Sequence, residues 1–257
     1  MSSQVLSISR VGKVAVLTLD SPPVNALSKA LIKGLHAAMD QVEADRTIGA
    51  VHIRSNAKVF CAGADLAEMR ENLIDPDKVD AQIDFVRDIQ NVLKRIETLA
   101  VATIAEVGGA AMGGGLELAL ACDFRVAANE AKLALPEVNL GLIPGAGGTQ
   151  RLTRLCGPAV SRRLILGAEI LDGAGALALG LVHWSVPRAE LAAFAQGLAE
   201  RIGALPRAAV AASKSCIAAA LDPARDGYEE ELSATRDLLL HEPETRSRVE
   251  AFLSGQR

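Results

Sequence analysis

Aromatic residues are scarce: 1 Trp, 1 Tyr and 5 Phe in 257 residues. That leaves little to stack on nucleic-acid bases. Positive charge is short as well. A net charge of −4 and the absence of a basic patch argue against binding a phosphate backbone. Arg162 with Arg163, and Arg246 with Arg248, read as solvated helix faces. The 4 cysteines (Cys61, Cys122, Cys156, Cys216) are far apart and contain no C-x-x-C, so they read as reduced, buried hydrophobes of a cytoplasmic protein. His36, His52, His183 and His241 are scattered without an H-x-x-x-H, and no catalytic metal is expected. No basic, then apolar leader opens the chain, so no secretory signal is expected. Residues 99–122 form the longest apolar stretch, but Glu106, Glu117 and several glycines make it a poor membrane span. The sequence also lacks G-x-x-x-x-G-K-[ST], a G-x-G-x-x-G after a strand, and G-x-S-x-G. Phosphate-cradling, dinucleotide-binding and serine-hydrolase readings fall with them.

What is present is a half-hydrophobic chain rich in Ala, Leu, Val and Gly, long enough for one large domain or one with a small appendage. Leu6, Ile8 and Val14 to Leu19 predict a hairpin around Gly12. Leu27, Leu31, Leu35, Met39 and Val42 recur at helical spacing behind Ser28, a plausible N-cap. Residues 50–54 and 101–107 predict strands, and Val79 to Thr98 a helix with Ile83, Val86, Ile89, Leu93 and Ile96 on one stripe. A short helix is expected over Leu66 to Glu71 and a loop over Asn72 to Lys78. Further helices are expected over Thr149 to Leu155 and Ala159 to Leu166. After Pro187 only helices are predicted. Alternating strands and helices followed by helices alone imply an α/β core with a helical C-terminal region. Glu106 interrupts an apolar strand, and nothing in the strand pattern explains it.

The densest signal lies between Gly113 and Gly148. Three glycines precede Leu116-Glu117-Leu118-Ala119-Leu120, a good helix former. A helix starting there leaves its first N–H groups without intrahelical partners, and they suit an anion or a developing oxyanion. Glu117 follows Gly114 by about one turn. On this helix alone, a packed helix start with Glu117 as charge compensation is an equal reading. Pro136-Glu137 then places a second acid in an apolar run. Buried carboxylates are costly unless paired, and two with displaced proton affinities are the usual equipment of general acid–base catalysis.

Four segments resemble one family in family order: P-V-N-A-L at 23–27, V-F-C-A-G-A-D-L at 59–66, G-G-G-L-E-L-A-L-A-C-D at 113–123 and P-E-V-N-L-G-L-I-P-G-A-G-G-T-Q-R-L at 136–152. The chain is similar over residues 10–253 to the enoyl-CoA hydratase (crotonase) superfamily. The resemblance implies a spiral of ββα units over residues 1–195 and a helical trimerisation region over 196–257. It implies a homotrimer or hexamer acting on an acyl-CoA thioester, commonly in fatty-acid β-oxidation, with no cofactor beyond the coenzyme A of the substrate. Membrane and nucleic-acid partners are not expected. By the same resemblance Ala64 and Gly114 supply the oxyanion-hole amides, Glu117 activates water, and Glu137 exchanges a proton at Cα. Val24, Ala26, Ala62, Asp65, Leu66, Met112 and Gly145 would line the CoA and acyl pocket. Retention of both acids favours a hydratase or dehydratase, and the alternative is another reaction of the superfamily, double-bond isomerisation or dehydration of a specialised acyl-CoA. Ala67 stands where many relatives carry Lys, and the C-terminus lacks their basic F-x-x-K-R. Lys58 and Lys214 are candidates to compensate.

Overall fold

A computed structural model of the chain describes residues 5–73 and 75–255. Its strands are β1 (Leu6–Val11), β2 (Val14–Leu19), β3 (Ala50–Ser55), β4 (Ala102–Val107), β5 (Ala111–Met112), β6 (Phe124–Ala128), β7 (Leu133–Ala134) and β8 (Trp184–Val186). The helices are α1 (Lys29–Ala44), α2 (Leu66–Leu73), α3 (Val79–Thr98), α4 (Gly114–Leu120), α5 (Gly148–Ser161), α6 (Gly173–Ala178), α7 (Arg188–Gly203), α8 (Arg207–Ala219), α9 (Gly227–His241) and α10 (Pro243–Leu253).

The β1–β2 hairpin is antiparallel, and the strands after it join in parallel in the order β1-β2-β3-β4-β6-β8. A second, two-stranded parallel sheet pairs β5 with β7. Every residue of β2 and β4 is buried, as expected of parallel strands covered on both faces. Ser28 caps α1 by accepting from the Leu31 N–H, and Leu31, Leu35, Met39 and Val42 are buried. Helix α3 has the predicted ends and buries Ile89, Val92, Leu93 and Ile96. The N-terminal half of its stripe, Ile83 and Val86, instead faces a cavity.

Two local expectations change and a third gains detail. The segment 72–78 is no simple loop: α2 runs on to Leu73 and a 3-10 turn covers Pro76–Lys78, while residue 74 lies outside the described residues. The two helices expected across 149–166 are present, separated by a non-helical Gly157 (φ 78°) ahead of Pro158, and the second ends in a π turn over Arg162–Leu166. The division at 195/196 crosses α7, whose Leu191, Ala195, Leu198, Ala199 and Ile202 are buried in the same core as the sheet. Helices α9 and α10 bury none of their residues and expose Leu232, Leu239, Leu240 and Phe252.

Glu106 has a physical reason after all. On the neighbouring strand, His52 Nε2 stands 2.9 Å from Glu106 Oε2, with side chains 1% and 11% exposed. The contact is close, although its angles are not those of a hydrogen bond. His52 Nδ1 meets Gln196 Oε1 at 3.1 Å, and Gln196 Nε2 donates to Glu200 Oε1 at 2.9 Å. A polar chain thus links the sheet to α7.

Candidate active site

Helix α4 starts from Gly113, whose φ of 52° and ψ of −124° belong to glycine. A Cβ there would also stand 2.8 Å from Glu137 Oε1. The Gly113 N–H donates to Ala134 O at 2.9 Å and fixes the helix start to β7. Gly114 is the first helical residue, so its N–H has no intrahelical acceptor. One turn on, Glu117 is 2% exposed, and its Oε1 accepts from the Gly148 N–H at 2.7 Å. Glu137 opens a 3-10 turn, Glu137–Leu140, directly after Pro136. Its Oε2 is buried without a hydrogen-bond partner.

Both acids line one cavity of about 600 Å³, within the usual size range of ligand sites. Burial pushes the Glu117 carboxyl up to about 7, against the pull of the Gly148 amide. Repulsion from Glu137 raises it further, while the Ala146 amide and the Arg151 charge draw it down. Burial also raises Glu137. The arrangement suits proton exchange near neutral pH.

Ala64 and Gly114 line the same cavity, and the position of a Cβ on Gly114 would be 3.7 Å from Ala64 N. The two backbones are brought together by Met112 N donating to Cys61 O at 3.0 Å and Leu27 N donating to Gly63 O at 2.8 Å. Ala62, Asp65, Leu66, Met112 and Gly145 are also in the cavity wall. Val24 and Ala26 are not: Leu27 and Lys29 take that part of the wall, and the Val24 carbonyl accepts from Ala62 N at 3.0 Å. Phe85, Val86 and Ile89 of α3, with Leu142 and Ile143, make much of the remaining wall apolar. The sequence reading named none of these five as pocket residues.

Lys214 is not available to a ligand phosphate. It is 17% exposed and bound to Asp123 Oδ2 at 2.7 Å and Val101 O at 3.1 Å. Lys58 does not line the cavity; among the described residues, its cations are Lys29 and Arg87. No group of three or more His, Cys, Asp or Glu among the described residues is arranged to hold a metal ion. No described helix is long and apolar enough to cross a membrane.

The family model described as enoyl-CoA hydratase/isomerase matches residues 10–253. A probable enoyl-CoA hydratase of Rhizobium meliloti (strain 1021) is 38% identical over 223 residues, 86% of this chain and 84% of that protein. The mitochondrial methylglutaconyl-CoA hydratase of Mus musculus is 48% identical over 162 residues, 62% of this chain. The match spans about half, 49%, of that mouse protein. Among solved structures, Pseudomonas aeruginosa DspI superposes with a TM-score of 0.91 at 34% identity, covering 100% of this chain and 96% of that one. An enoyl-CoA hydratase from Geobacillus kaustophilus reaches 0.93 at 30% identity, with the same coverage.

Proposed function

Because the chain belongs to the enoyl-CoA hydratase/isomerase family, we propose that it adds water reversibly across the 2,3 double bond of a 2-enoyl-CoA thioester. One observation carries this reading. A buried carboxylate, Glu117, and a half-buried one, Glu137, face one cavity beside the Ala64 and Gly114 amides. In the proposed reaction Glu117 takes a proton from water as its oxygen bonds to Cβ. The charge that develops on the thioester oxygen is held by the Ala64 and Gly114 N–H groups, which need no reorganisation to do so. Glu137 delivers a proton to Cα, and dehydration runs the steps backwards. Glu117, with a proton affinity near neutral pH, fits the base. Glu137, with an unpartnered buried oxygen, fits the acid. No cofactor is required beyond the coenzyme A carried by the substrate.

The acyl group is a separate matter. The apolar wall around Phe85, Val86, Ile89 and Leu142 supports a hydrocarbon chain. A second reading, hydration of a methylglutaconyl-like thioester, draws on the mouse relative. Lys29 or Arg87 of the cavity wall would then meet a distal carboxylate. Purified protein should be assayed against a ladder of straight, branched and carboxylated 2-enoyl-CoAs by loss of the conjugated thioester absorbance. Turnover of at least one member is expected. No hydration of any, with shift of a 3-enoyl double bond instead, would make the enzyme an isomerase.

The reading extends to assembly and location. Exposed apolar side chains along α9 and α10, including Leu232, Leu239, Leu240 and Phe252, support self-association as a homotrimer or hexamer. Light scattering at micromolar protein should give three or six times the chain mass, and a monomer mass would contradict it. The unpaired cysteines suit a reducing cytoplasm.

A further inference from the structure

The loop 144–148 carries the amides that act on Glu117, and its carbonyls are held from elsewhere. Gly145 O accepts from Gln90 Nε2 at 2.6 Å. Ala146 O accepts from Arg151 Nη1 at 2.9 Å. Gly147 O accepts from the Arg151 backbone N–H at 2.9 Å. A trans peptide points its C=O and the following N–H in opposite directions. The peptide whose oxygen Gln90 grips therefore carries the Ala146 N–H. The peptide whose oxygen the Arg151 backbone grips carries the Gly148 N–H. These are the two amides that favour ionised Glu117. Arg151 is itself anchored: its side chain is 11% exposed, and Nη2 donates to Glu97 Oε2 at 3.2 Å. Gln90 and Glu97 lie two turns apart on α3 and so share a face. Gly147, at φ 106°, leaves the space in which the guanidinium lies; a Cβ there would collide with Nη1.

We propose that Gln90 and Arg151 are positioning residues: Gln90 holds the peptide that carries the Ala146 amide, and the Arg151 side chain, through the Ala146 carbonyl, fixes the loop between the two amides that face Glu117. The role rests on the reading of Glu117 as the base. The charged groups concerned are few. Glu137 and Arg151 act on Glu117. Glu97 faces Arg151, and Lys94 shares Glu97 Oε2 at 3.4 Å. Amide donation and the Arg151 charge both favour the carboxylate form. Loosening either tether therefore raises the pH at which Glu117 releases its proton.

The test is a ¹³C NMR titration of glutamate-labelled protein without substrate, the Glu117 signal being assigned by its loss in Glu117→Gln. In Gln90→Leu and Arg151→Met the midpoint should rise by about half to one pH unit, and the acid limb of kcat/KM should move with it. Arg151→Lys keeps the charge but not the two-armed clamp, and should recover part of the shift. Should Arg151→Met fail to fold, Gln90→Leu and Glu97→Gln, at more exposed positions on α3, carry the test alone. Unchanged midpoints and acid limbs in folded variants would overturn the proposal. A wild type that hydrates no enoyl-CoA would count against the hydratase reading instead, since the titration needs no substrate.

Discussion

Glu106 and Glu117 look alike in the sequence: each is an acid set in an apolar run, eleven positions apart, and each is buried in the fold. Their surroundings differ: Glu106 borders a pocket of only about 110 Å³, Glu117 one of about 600 Å³. Glu106 stands across two parallel strands from His52, a group able to compensate it, and joins a polar chain running to α7. Glu117 is given no compensating side chain in contact. It has backbone amides on one side, a second acid nearby and a ligand-sized cavity in front. Burial alone does not mark a catalytic acid. A like charge, fixed amide donors and open space do.

The sharpest way to break the comparison is to make the same change at both sites. Gln keeps the size and most of the hydrogen bonding but cannot transfer a proton. Glu117→Gln should lose about 10² to 10⁴-fold in hydration turnover, while Glu106→Gln should stay within about threefold, under 1 kcal/mol of barrier. Comparable losses at both sites in folded protein would erase the distinction. Next comes the helix start. Gly114→Pro removes one donor at a position where helices accept proline, and a Cβ there presses only on the flexible end of Leu27. A loss of roughly 10²-fold or more is expected; wild-type turnover would make Gly114 merely structural.

Stability should separate the acids in the opposite sense. Glu117 holds its proton more tightly folded than unfolded, about 7 against an ordinary 4.5. Its contribution is therefore most favourable below the unfolded value, and is lost as pH rises toward 7. Glu117→Gln removes that burden and should stabilise the protein at pH 8 by up to about 3 kcal/mol, with a smaller gain at pH 5. Melting curves of the two proteins at both pH values would show it, and an equal shift at both would refute the linkage. Glu106→Ala should do the reverse, costing about 1–3 kcal/mol because it removes a buried side chain packed between the strands and His52. The pH profile of turnover should stay in place.

Local chemistry made much of this legible before any coordinates. Ser28 and the 31–35–39–42 stripe fix α1, the ends of α3 follow from its periodicity, and the glycines ahead of Leu116 mark the start of α4. The ordered segments around Ala64, Gly114, Glu117 and Glu137 named residues that the fold brings to one cavity. What was not legible depends on distance across the chain. The Gly148 amide reaches Glu117 over 31 positions, and a backbone donor has no side-chain signature. Gln90 reaches Gly145 over 55 positions, from a helix whose stripe reads as core. His52 answers Glu106 only once β3 and β4 are neighbours. Val24 and Ala26 were expected in the cavity wall from the family resemblance, but the chain presents Leu27 and Lys29 there.

The central claim is that Glu117 and Glu137 work as a unit on one water and one Cα proton. Hydration in H₂¹⁸O by the wild type, Glu117→Gln, Glu137→Gln and the double variant tests it most directly. The account predicts ¹⁸O at Cβ of the wild-type product and a large loss in each single variant. The double variant should fall far short of the product of the two losses, as residues acting together do. Full, ¹⁸O-labelled hydration by Glu117→Gln, with only Glu137→Gln inactive, would contradict it.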